Sequence, residues 1–391
     1  MKITKVTAIP LIFPYEKPIM DALYYIKYRQ ALLVKVETDS GIYGIGEAAC
    51  FGGPPESTKV VVEQELAPNL IGEDPLKIEW IWQKLYRRSL QHGRRGIVMC
   101  AISGIDIALW DILGKVANMP VYKLLGGFAD KIQTYASGGF YAEGKGITEL
   151  EEEMTAYVKK GFKAVKMKVG RTPETALNPI QFMTDNEIHT SVEEDIARVQ
   201  AVRKAIGPNI TLMVDANGAW DTYTAITVGR ELDKLNVYWY EEPTSTDDIK
   251  GSARLADQLD IIVAGYETEQ GVYGFRELIT EGAVDAVQPD LTWSGGFTEC
   301  SKISAMAYAH NKMCVPHCFS SGVAMLATLH FIASIPNGRF LEFDQNPNAL
   351  RTELTREPLE IDSEGYVHIS DKPGLGIELR DEAVNKYRID R

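Results

Sequence analysis

A chain of 391 residues is longer than a single hydrophobic core usually supports, so we expect two domains. Its hydrophobic content of 45% and its charged content of 24% are ordinary for a soluble enzyme. The net charge of −13 argues against nucleic acid or a membrane as a partner, and it means that an anionic substrate needs local positive charge.

The first 130 residues predict an α+β capping domain. Residues 3–12 and 31–37 alternate between apolar and polar side chains, which is typical of a small antiparallel sheet, and residues 57–127 turn to helical periodicity. The opening strand ends at Pro14 and does not resemble a signal peptide, and we expect no later stretch to reach membrane length.

Eight apolar runs alternate with amphipathic helices over residues 131–345. Strands alternating with helices predict a parallel sheet, and eight of them predict an α/β barrel, a modified TIM barrel. The runs are residues 134–139, 164–170, 211–217, 237–243, 261–267, 283–290, 312–317 and 340–344. The tail, residues 346–391, has strand character and is expected to return to the cap.

One connection in the barrel, residues 171–190, is far longer than the usual link between a strand and a helix. An insertion at the rim of a barrel is expected to be functional, for example as a lid.

The five cysteines are odd in number and show no CxxC spacing, which is typical of reduced thiols in the cytoplasm. We therefore expect a cytoplasmic protein. Cys314 and Cys318 flank His317, so a zinc site with thiolate ligands is an alternative to the metal site described next. The other cysteines are Cys50, Cys100 and Cys300.

Asp215, Glu241 and Glu267 each end a predicted strand, and successive members of this trio are 26 residues apart. The carboxyl ends of barrel strands meet at one mouth, where the active sites of such barrels lie. Three carboxylates converging there predict a divalent hard cation, Mg²⁺ with Mn²⁺ as the alternative. Glu242 and Glu269 are rival ligands that the spacing disfavours.

Lys166 and Lys168 share one face of the preceding strand because they alternate with Met167. Two amines aimed into one mouth, near a cation, raise each other's cost of being charged, so one of them is expected to be partly neutral and to act as a base. The alternative is that both amines only neutralise the carboxylates.

Asp290 and His317 end the next two strands and are predicted to form a dyad in which Asp290 raises the basicity of the imidazole. Glu342, in the last strand, is predicted to be a carboxylic acid with a raised pKa that donates a hydrogen bond to a developing oxyanion. Asp344 is its rival. His189 lies in the long insertion and is a candidate for substrate contact.

A cation, a lysine pair and a histidine dyad around one cavity suit removal of a proton next to a carboxylate, because they stabilise the enediolate that results. The motifs that carry these residues resemble the mandelate racemase subgroup of the enolase superfamily over nearly the whole chain. The motifs are KMK at 166–168, DAN at 215–217, EEP at 241–243, GYE at 265–267, QPD at 288–290, PH at 316–317, LEFD at 341–344, GIDIALWDILGK in the cap and PGLGIE near the end.

The resemblance implies a role for each matching residue. Asp215, Glu241 and Glu267 would hold Mg²⁺, and Lys168 would be the base on one face, assisted by Lys166 at the substrate carboxylate. His317 with Asp290 would be the acid or base on the other face, and Glu342 would hydrogen-bond the substrate carboxylate. Two loops of the cap, residues 15–30 and 50–57, would choose the substrate, and the substrate-binding candidates are Tyr24, Tyr25, Arg29, Asn217 and His189.

The chain departs from the family pattern at Thr268, where an asparagine is common after the third ligand, and in the long insertion. Most members with the full residue set dehydrate acid sugars, so the resemblance implies an acid-sugar dehydratase, a hydro-lyase that converts an aldonate or aldarate to a 2-keto-3-deoxy acid. The same residues would also serve a racemase or epimerase, or a cycloisomerase of an aldarolactone. A barrel that binds a sugar acid or a partner without turnover is a hypothesis of another class, and family habit suggests a homo-oligomer.

Overall fold

The computed structural model of the protein describes residues 1–172 and 189–390. Almost all of the insertion at residues 171–190 therefore lies outside the described residues, and its role as a lid stays a prediction.

An antiparallel sheet of three strands begins the chain. The strands are β1 (Ile3–Met20), β2 (Tyr25–Thr38) and β3 (Tyr43–Ala48), in the order β1-β2-β3. The long helix α3 (Ile97–Ala117) packs closely against β3. A Cβ atom added at Gly44 or Gly46 would lie 1.9 Å or 2.1 Å from a backbone oxygen of α3, so the close approach requires glycine at both positions. The helices that follow the sheet are α1 (Pro55–Val60), a π-helical turn (Val61–Leu66), a 3-10 turn (Ala67–Asn69), α2 (Ile78–Ser89), α3 (Ile97–Ala117) and α4 (Val121–Leu124).

The apolar character of α3 comes from its place in the core. With 21 residues and a mean hydropathy of 1.8 it is long and apolar enough to cross a membrane, so the expectation that no stretch reaches membrane length is wrong. However, 83% of its most apolar window is buried inside the protein. Its composition is therefore explained by packing on both sides, against the cap sheet and the barrel helices.

A curled parallel sheet of eight strands follows, and each of its first seven strands is succeeded by a helix. The predicted α/β barrel with an α+β cap is thereby confirmed. The strands are β4 (Lys131–Ser137), β5 (Ala164–Lys168), β6 (Thr211–Asp215), β7 (Val237–Glu241), β8 (Ile262–Gly265), β9 (Ala286–Val287), β10 (Met313–Cys314) and β11 (Phe340–Asp344). The helices are α5 (Ile147–Lys159), α6 (Val192–Ile206), α7 (Thr222–Lys234), α8 (Ile249–Gln258), α9 (Gly271–Thr280), α10 (Gly296–Ala309) and α11 (Gly322–Ile332).

Strand order explains the curl of this sheet. Strands β4 to β10 lie side by side in chain order, and β11 pairs with β4, so the first and last strands become neighbours. Cys314 of β10 forms an isolated bridge with Gly338, just before β11. Successive strands therefore bring their carboxyl ends to one rim.

Side chains inside the curl form an apolar floor under that rim. Tyr135 packs edge-on against Trp239 at 5.3 Å, and Trp239 packs against Phe340 at 5.9 Å. Small residues such as Ala164 and Ala264 make room for these rings. Because every second residue of a strand points the same way, the charged residues at the strand ends stand directly above this floor.

The tail contacts both units. It includes α12 (Ala349–Thr352), β12 (Tyr366–His368) and α13 (Asp381–Tyr387). β12 pairs with barrel strand β4, whereas Arg388 bridges to Leu11 and Gly374 to Pro120 in the cap. The tail thus returns to the cap, while the boundaries at residues 130 and 345 stay a prediction.

Carboxylates of the cap hold the first turns of two barrel helices. Glu47 is fully buried and accepts hydrogen bonds from the hydroxyls of Ser320 and Ser321 and from the backbone N–H of Ala324, at 3.0 Å, at the start of α11. Asp106 of α3 accepts from the N–H and hydroxyl of Thr298 in α10, at 3.1 Å and 2.6 Å. Burial raises the pKa of both carboxyls, that of Asp106 to about 7, while the hydrogen bonds they accept oppose the shift. The cap is therefore docked on the barrel by hydrogen bonds to helix N-termini as well as by apolar contact.

His330 of α11 lies buried where the barrel, the cap and the tail meet. Its Nδ1 accepts a hydrogen bond of 3.2 Å from the N–H of Tyr122. Burial lowers its pKa to about 4 from an ordinary 6.5, although a backbone hydrogen bond at Leu375 opposes the shift. The folded protein therefore holds a neutral imidazole here.

We expect His330 to contribute to acid unfolding. The unfolded chain takes up this proton near pH 6.5 and the folded chain only near pH 4, so the unfolded state binds more protons in that window and stability falls as the pH is lowered through it. His330→Asn, which keeps an acceptor for Tyr122, should reduce the loss of unfolding free energy between these pH values by up to about 3 kcal/mol, measured by denaturant unfolding. His310→Asn, at an exposed position, is the control, and equal losses in both variants would contradict the prediction.

Candidate active site

The carboxyl ends of neighbouring strands bring the predicted metal ligands together. Lys168 of β5 is paired in register with Asp215 of β6, and Asp215 with Glu241 of β7. Glu267 follows the end of β8. Asp215, Glu241 and Glu267 each offer a ligand atom, and these atoms lie within 4.8 Å of one another. The equal spacing thus corresponds to matched positions for Asp215 and Glu241, whereas Glu267 lies beyond Ala264, the register partner of Glu241, in the turn that follows β8.

The backbone is strained beside each member of this trio. Asn217, Glu242 and Tyr266 have φ angles of 45°, 38° and 70°, a left-handed region that is unfavourable for residues other than glycine. Such strain costs about 1–3 kcal/mol at each position and is concentrated at functional sites. It turns the chain sharply at the rim, one or two residues from a carboxylate of the trio.

The rival ligands are occupied elsewhere. Glu242 accepts hydrogen bonds from the backbone N–H groups of Tyr266 and Glu267, at 3.0 Å and 3.1 Å, so it braces the end of the neighbouring strand. Glu269 accepts from the N–H of Gln270 at 2.7 Å and pairs with Arg95 at 3.2 Å. Neither belongs to the cluster of ligand atoms.

The two lysines form ion pairs with the carboxylates. Lys166 pairs with Glu241, with Glu342 at 2.9 Å and with Asp215 at 3.8 Å, while Lys168 pairs with Asp215. Burial alone would lower the pKa of both amines, but the carboxylates outweigh it and raise the pKa of each above its ordinary value. The expectation of a partly neutral lysine is therefore not met in this arrangement, because each ammonium is paired with at least one buried carboxylate.

Asp290 and His317 form the predicted contact. The Nδ1 atom of His317 lies 2.8 Å from Asp290, its Nε2 lies 3.4 Å from Glu267, and the ring of Trp293 stacks on it at 5.6 Å. Burial would lower the pKa of His317, but Glu267 and Asp290 outweigh it and raise this pKa to about 10. The imidazole is thus cationic at neutral pH.

Glu342, and not its rival Asp344, faces the cavity. Asp344 pairs with Arg29 and, at 3.4 Å, with Arg351. Glu342 pairs with Lys166 and accepts from the N–H of Cys318 at 3.1 Å. Burial raises the pKa of Glu342, but Lys166 and then His317 outweigh it and hold this pKa below its ordinary value. The prediction of a raised pKa is wrong for this arrangement, because the lysine is a direct partner.

A cavity lies between the cap and the rim. Lys168 and His317 both line it, whereas Lys166 lies beneath and is 1% exposed. The full lining is Asp21, Gln30, Ala49, Cys50, Phe51, Phe140, Lys168, Asn217, Glu267, Asp290, Thr292, Trp293, His317, Phe319, Ser320 and Glu342.

Ten of those sixteen lining residues were not named individually as site candidates from the sequence: Asp21, Gln30, Ala49, Cys50, Phe51, Phe140, Thr292, Trp293, Phe319 and Ser320. Asp21 lies inside the predicted loop of residues 15–30, but no local pattern distinguishes it from the other polar residues there. Only the docking of the cap on the barrel brings it to the cavity.

The substrate-binding candidates have different surroundings. Asn217 lines the cavity, and Tyr24 lines an outer cavity that shares Glu267 and Trp293 with it. Arg29 does not line either cavity, because it is buried in its pair with Asp344 and stacks over Phe319 at 3.1 Å. Two further candidates also stand outside the described lining: Tyr25, whose ring lies under the amine of Lys27, and the exposed His189.

The thiolate alternative does not form in the part of the chain that the structure describes. Cys314 and Cys318 are buried, and burial raises the pKa of both thiols, so their thiolates are disfavoured. Nδ1 of His317 is engaged by Asp290. Among the described residues, the carboxylate trio is the group suited to a metal ion.

Models of two protein families match the chain in succession. The model described as "Mandelate racemase / muconate lactonizing enzyme, N-terminal domain" matches residues 4–126, and "Enolase C-terminal domain-like" matches residues 149–383. Together they span most of the cap and most of the barrel.

Characterised relatives cover nearly the whole chain. The arabinonate dehydratase of Saccharolobus solfataricus is 38% identical over 92% of this chain and 91% of its own length. The D-galactarolactone cycloisomerase of Agrobacterium fabrum is 37% identical over 100% and 99%. The crystal structure of a racemase from Streptomyces coelicolor with bound magnesium superposes with a TM-score of 0.88 at 29% identity, covering 99% of this chain and 100% of that one.

Lys166 should be important for stability as well as for the site. Lys166→Met leaves Glu241 and Glu342 buried without their cation, so we expect the free energy of unfolding in metal-free buffer to fall by about 3–5 kcal/mol. Lys163→Met, on the same segment but exposed, should change it by less than about 0.5 kcal/mol. Denaturant unfolding of both variants tests this, and similar values for the two would contradict it.

Proposed function

The chain belongs to the enolase superfamily, in the mandelate racemase and muconate lactonizing enzyme family, and from that premise we propose that it is an acid-sugar dehydratase. It would remove the proton α to the carboxylate of a sugar acid and then eliminate the β-hydroxyl, giving a 2-keto-3-deoxy acid. The observation that carries this proposal is that a lysine and a histidine of opposite strands line one cavity beside three converging carboxylates.

The residues of the rim fit a divalent cation. All three ligands in the trio are carboxylates, which suit Mg²⁺ and, as an alternative, Mn²⁺. Among the rim side chains that pair with one another, five carboxylates face three basic groups, so acidic groups outnumber basic ones and a divalent ion would compensate that excess. When bound, the ion would supply Lewis-acid stabilisation of charge developing on the substrate carboxylate.

Lys168 is proposed as the base that takes the α-proton. It must be neutral to do so, and its pair with Asp215 now keeps its pKa high. Engagement of Asp215 as a metal ligand would weaken that pair and free the amine. Lys166 is proposed to remain charged beneath the cavity, where it holds Glu241 and Glu342 in place and adds positive potential under the substrate carboxylate.

His317 is proposed as the acid that protonates the departing β-hydroxyl. Asp290 fixes the orientation of the ring through Nδ1 and favours its protonated form, so the ring can carry the proton that it donates. Loss of the α-proton and of the hydroxyl removes one water, and the enol that remains becomes the keto acid. Glu342, held as a carboxylate by Lys166, is proposed as a positioning group at the substrate carboxylate.

A cycloisomerase is the second candidate function. It is favoured by the D-galactarolactone cycloisomerase that aligns with the whole chain. The same α-proton would leave, but the ring oxygen of a lactone would depart in place of the hydroxyl. A racemase or epimerase would use Lys168 and His317 to protonate the enediolate from opposite faces.

The substrate is thus proposed to be a small carboxylate, a sugar acid. A homo-oligomeric state and a cytoplasmic location remain predictions from composition and family habit.

Metal dependence should separate the trio from its rivals. We expect chelation with EDTA to abolish activity, and Mg²⁺ or Mn²⁺ to restore it. Glu267→Gln should weaken Mg²⁺ binding at least about tenfold in titration calorimetry, because one of three ligand carboxylates is lost. Glu269→Gln, two residues further on and outside the cluster, is the matched control. Weaker binding in the control alone would overturn the ligand assignment.

Proton exchange should separate the roles of Lys168 and His317. In D₂O, Lys168→Ala should stop both α-deuterium exchange and keto-acid formation. His317→Asn should slow keto-acid formation by about 100- to 10,000-fold while exchange by Lys168 continues, because only the acid has been removed. Mass spectrometry of recovered substrate and an assay for keto acids give both readouts.

An α-deuterated sugar acid recovered from the unaltered enzyme without any keto product would exclude the dehydratase and favour the racemase. Lys168→Ala and His317→Asn variants with unchanged turnover would restore the hypothesis of a barrel that only binds its ligand.

A further inference from the structure

Side chains of the barrel and of the cap line the cavity together. The barrel contributes Lys168 and His317 as well as the carboxylates of Glu267, Asp290 and Glu342. The cap contributes Asp21 and Gln30, which are 5% and 8% exposed. With the reacting carboxylate at the rim, the rest of the substrate is expected to meet these side chains of the cap.

The polar groups that the cap contributes are hydrogen-bond acceptors. Asp21 accepts hydrogen bonds from the N–H groups of Leu23 and Tyr24, at 2.8 Å and 2.6 Å. Burial raises the pKa of Asp21, whereas Lys168 and these two N–H groups favour its carboxylate form. Gln30 donates its amide N–H groups to the carbonyl oxygens of Cys50 and Gly53, the latter at 2.7 Å. Its own amide oxygen is buried and has no hydrogen-bond partner. A buried acceptor without a partner is costly, and the hydroxyl of a ligand would satisfy it.

No lysine or arginine of the cap lines the cavity among the described residues. The outer cavity, which continues from it, is lined by neither residue type. Arg29 is committed to Asp344, and Arg171 donates to the backbone oxygen of Asp21 at 3.0 Å from a fully buried position outside the lining. The sequence of residues 173–188, which lie outside the described part, contains no lysine, arginine or histidine.

We propose that the substrate carries one carboxylate only, so that it is an aldonate or a monolactone of an aldarate and not an open aldarate. This inference rests on the proposed function. A second carboxylate would lose its hydration against Asp21 and the amide oxygen of Gln30, and the lysine of the described lining, Lys168, is already paired with Asp215. A hydroxymethyl or hydroxyl end, in contrast, donates hydrogen bonds to both acceptors.

The test compares monoacids with diacids of the same configuration. With Mg²⁺ present, keto-acid formation is measured for D-galactonate against galactarate, D-gluconate against D-glucarate, D-mannonate against D-mannarate and D-arabinonate against D-arabinarate, with galactaro-1,4-lactone in addition. We expect kcat/KM for the best aldonate or for the lactone to exceed that of every open aldarate by about 100-fold or more.

An open aldarate that turns over as fast as the best monoacid overturns this inference and leaves the proposed function intact. If no compound forms a keto acid or exchanges its α-proton, the proposed function itself is wrong. The two failures are therefore distinguishable.

Asp21→Asn is the variant that probes the repulsive element. It removes the negative charge with little change of shape, so the preference for the monoacid over the diacid of the same configuration should fall by about tenfold. Glu16→Gln, at an exposed position of strand β1, which ends just before Asp21, should leave the preference unchanged. An equal change in both variants, or none in either, would count against Asp21, and the comparison in the unaltered enzyme stands if Asp21→Asn fails to fold.

Discussion

The buried ion pairs of Lys166 with Glu241 and Glu342, and of Lys168 with Asp215, are the interaction on which the rest of the molecule depends. Charges removed from water are expensive, and their mutual attraction compensates only when the geometry is held rigidly. Strand register supplies that rigidity, since Lys168, Asp215 and Glu241 occupy matched positions on three neighbouring strands. The aromatic floor beneath them adds to this rigidity, because its rings fill the interior of the curled sheet and leave the side chains above little room to move.

The charged cluster favours an exchange of ion-pair partners over maximal stability. Its acidic groups outnumber its basic ones, which suits a divalent ion, and each lysine is paired with a carboxylate that such an ion would bind. The strained turns at Asn217, Glu242 and Tyr266 are consistent with this, because they aim neighbouring acids at one point at a cost in backbone energy. Glu242 offsets part of this cost, since its carboxylate accepts hydrogen bonds from the backbone N–H groups of Tyr266 and Glu267 in the next turn of the rim.

Much of this arrangement follows from local patterns in the sequence. The period of strand and helix indicated which of Glu241 and Glu242 faces inward, and alternation along β5 indicated that Lys166 and Lys168 share a face. Long-range contacts were not predictable in this way. The sequence suggested Arg29 as a substrate ligand, but its guanidinium forms a buried ion pair with Asp344, more than 300 residues later. The pKa of Glu342 was mispredicted because the identity of its partner, Lys166, is set by the closing of the sheet.

The hydrogen bonds of Glu47 to α11 and of Asp106 to α10 link the stability of the cap to that of the barrel. Both carboxylates complete helix ends that belong to the barrel, so a barrel deprived of this cap would carry open N-termini beside the very strands that present Asp290 and His317. Cap and barrel should therefore melt as one cooperative unit. A replacement cap would have to supply equivalent acceptors for the first turns of α10 and α11.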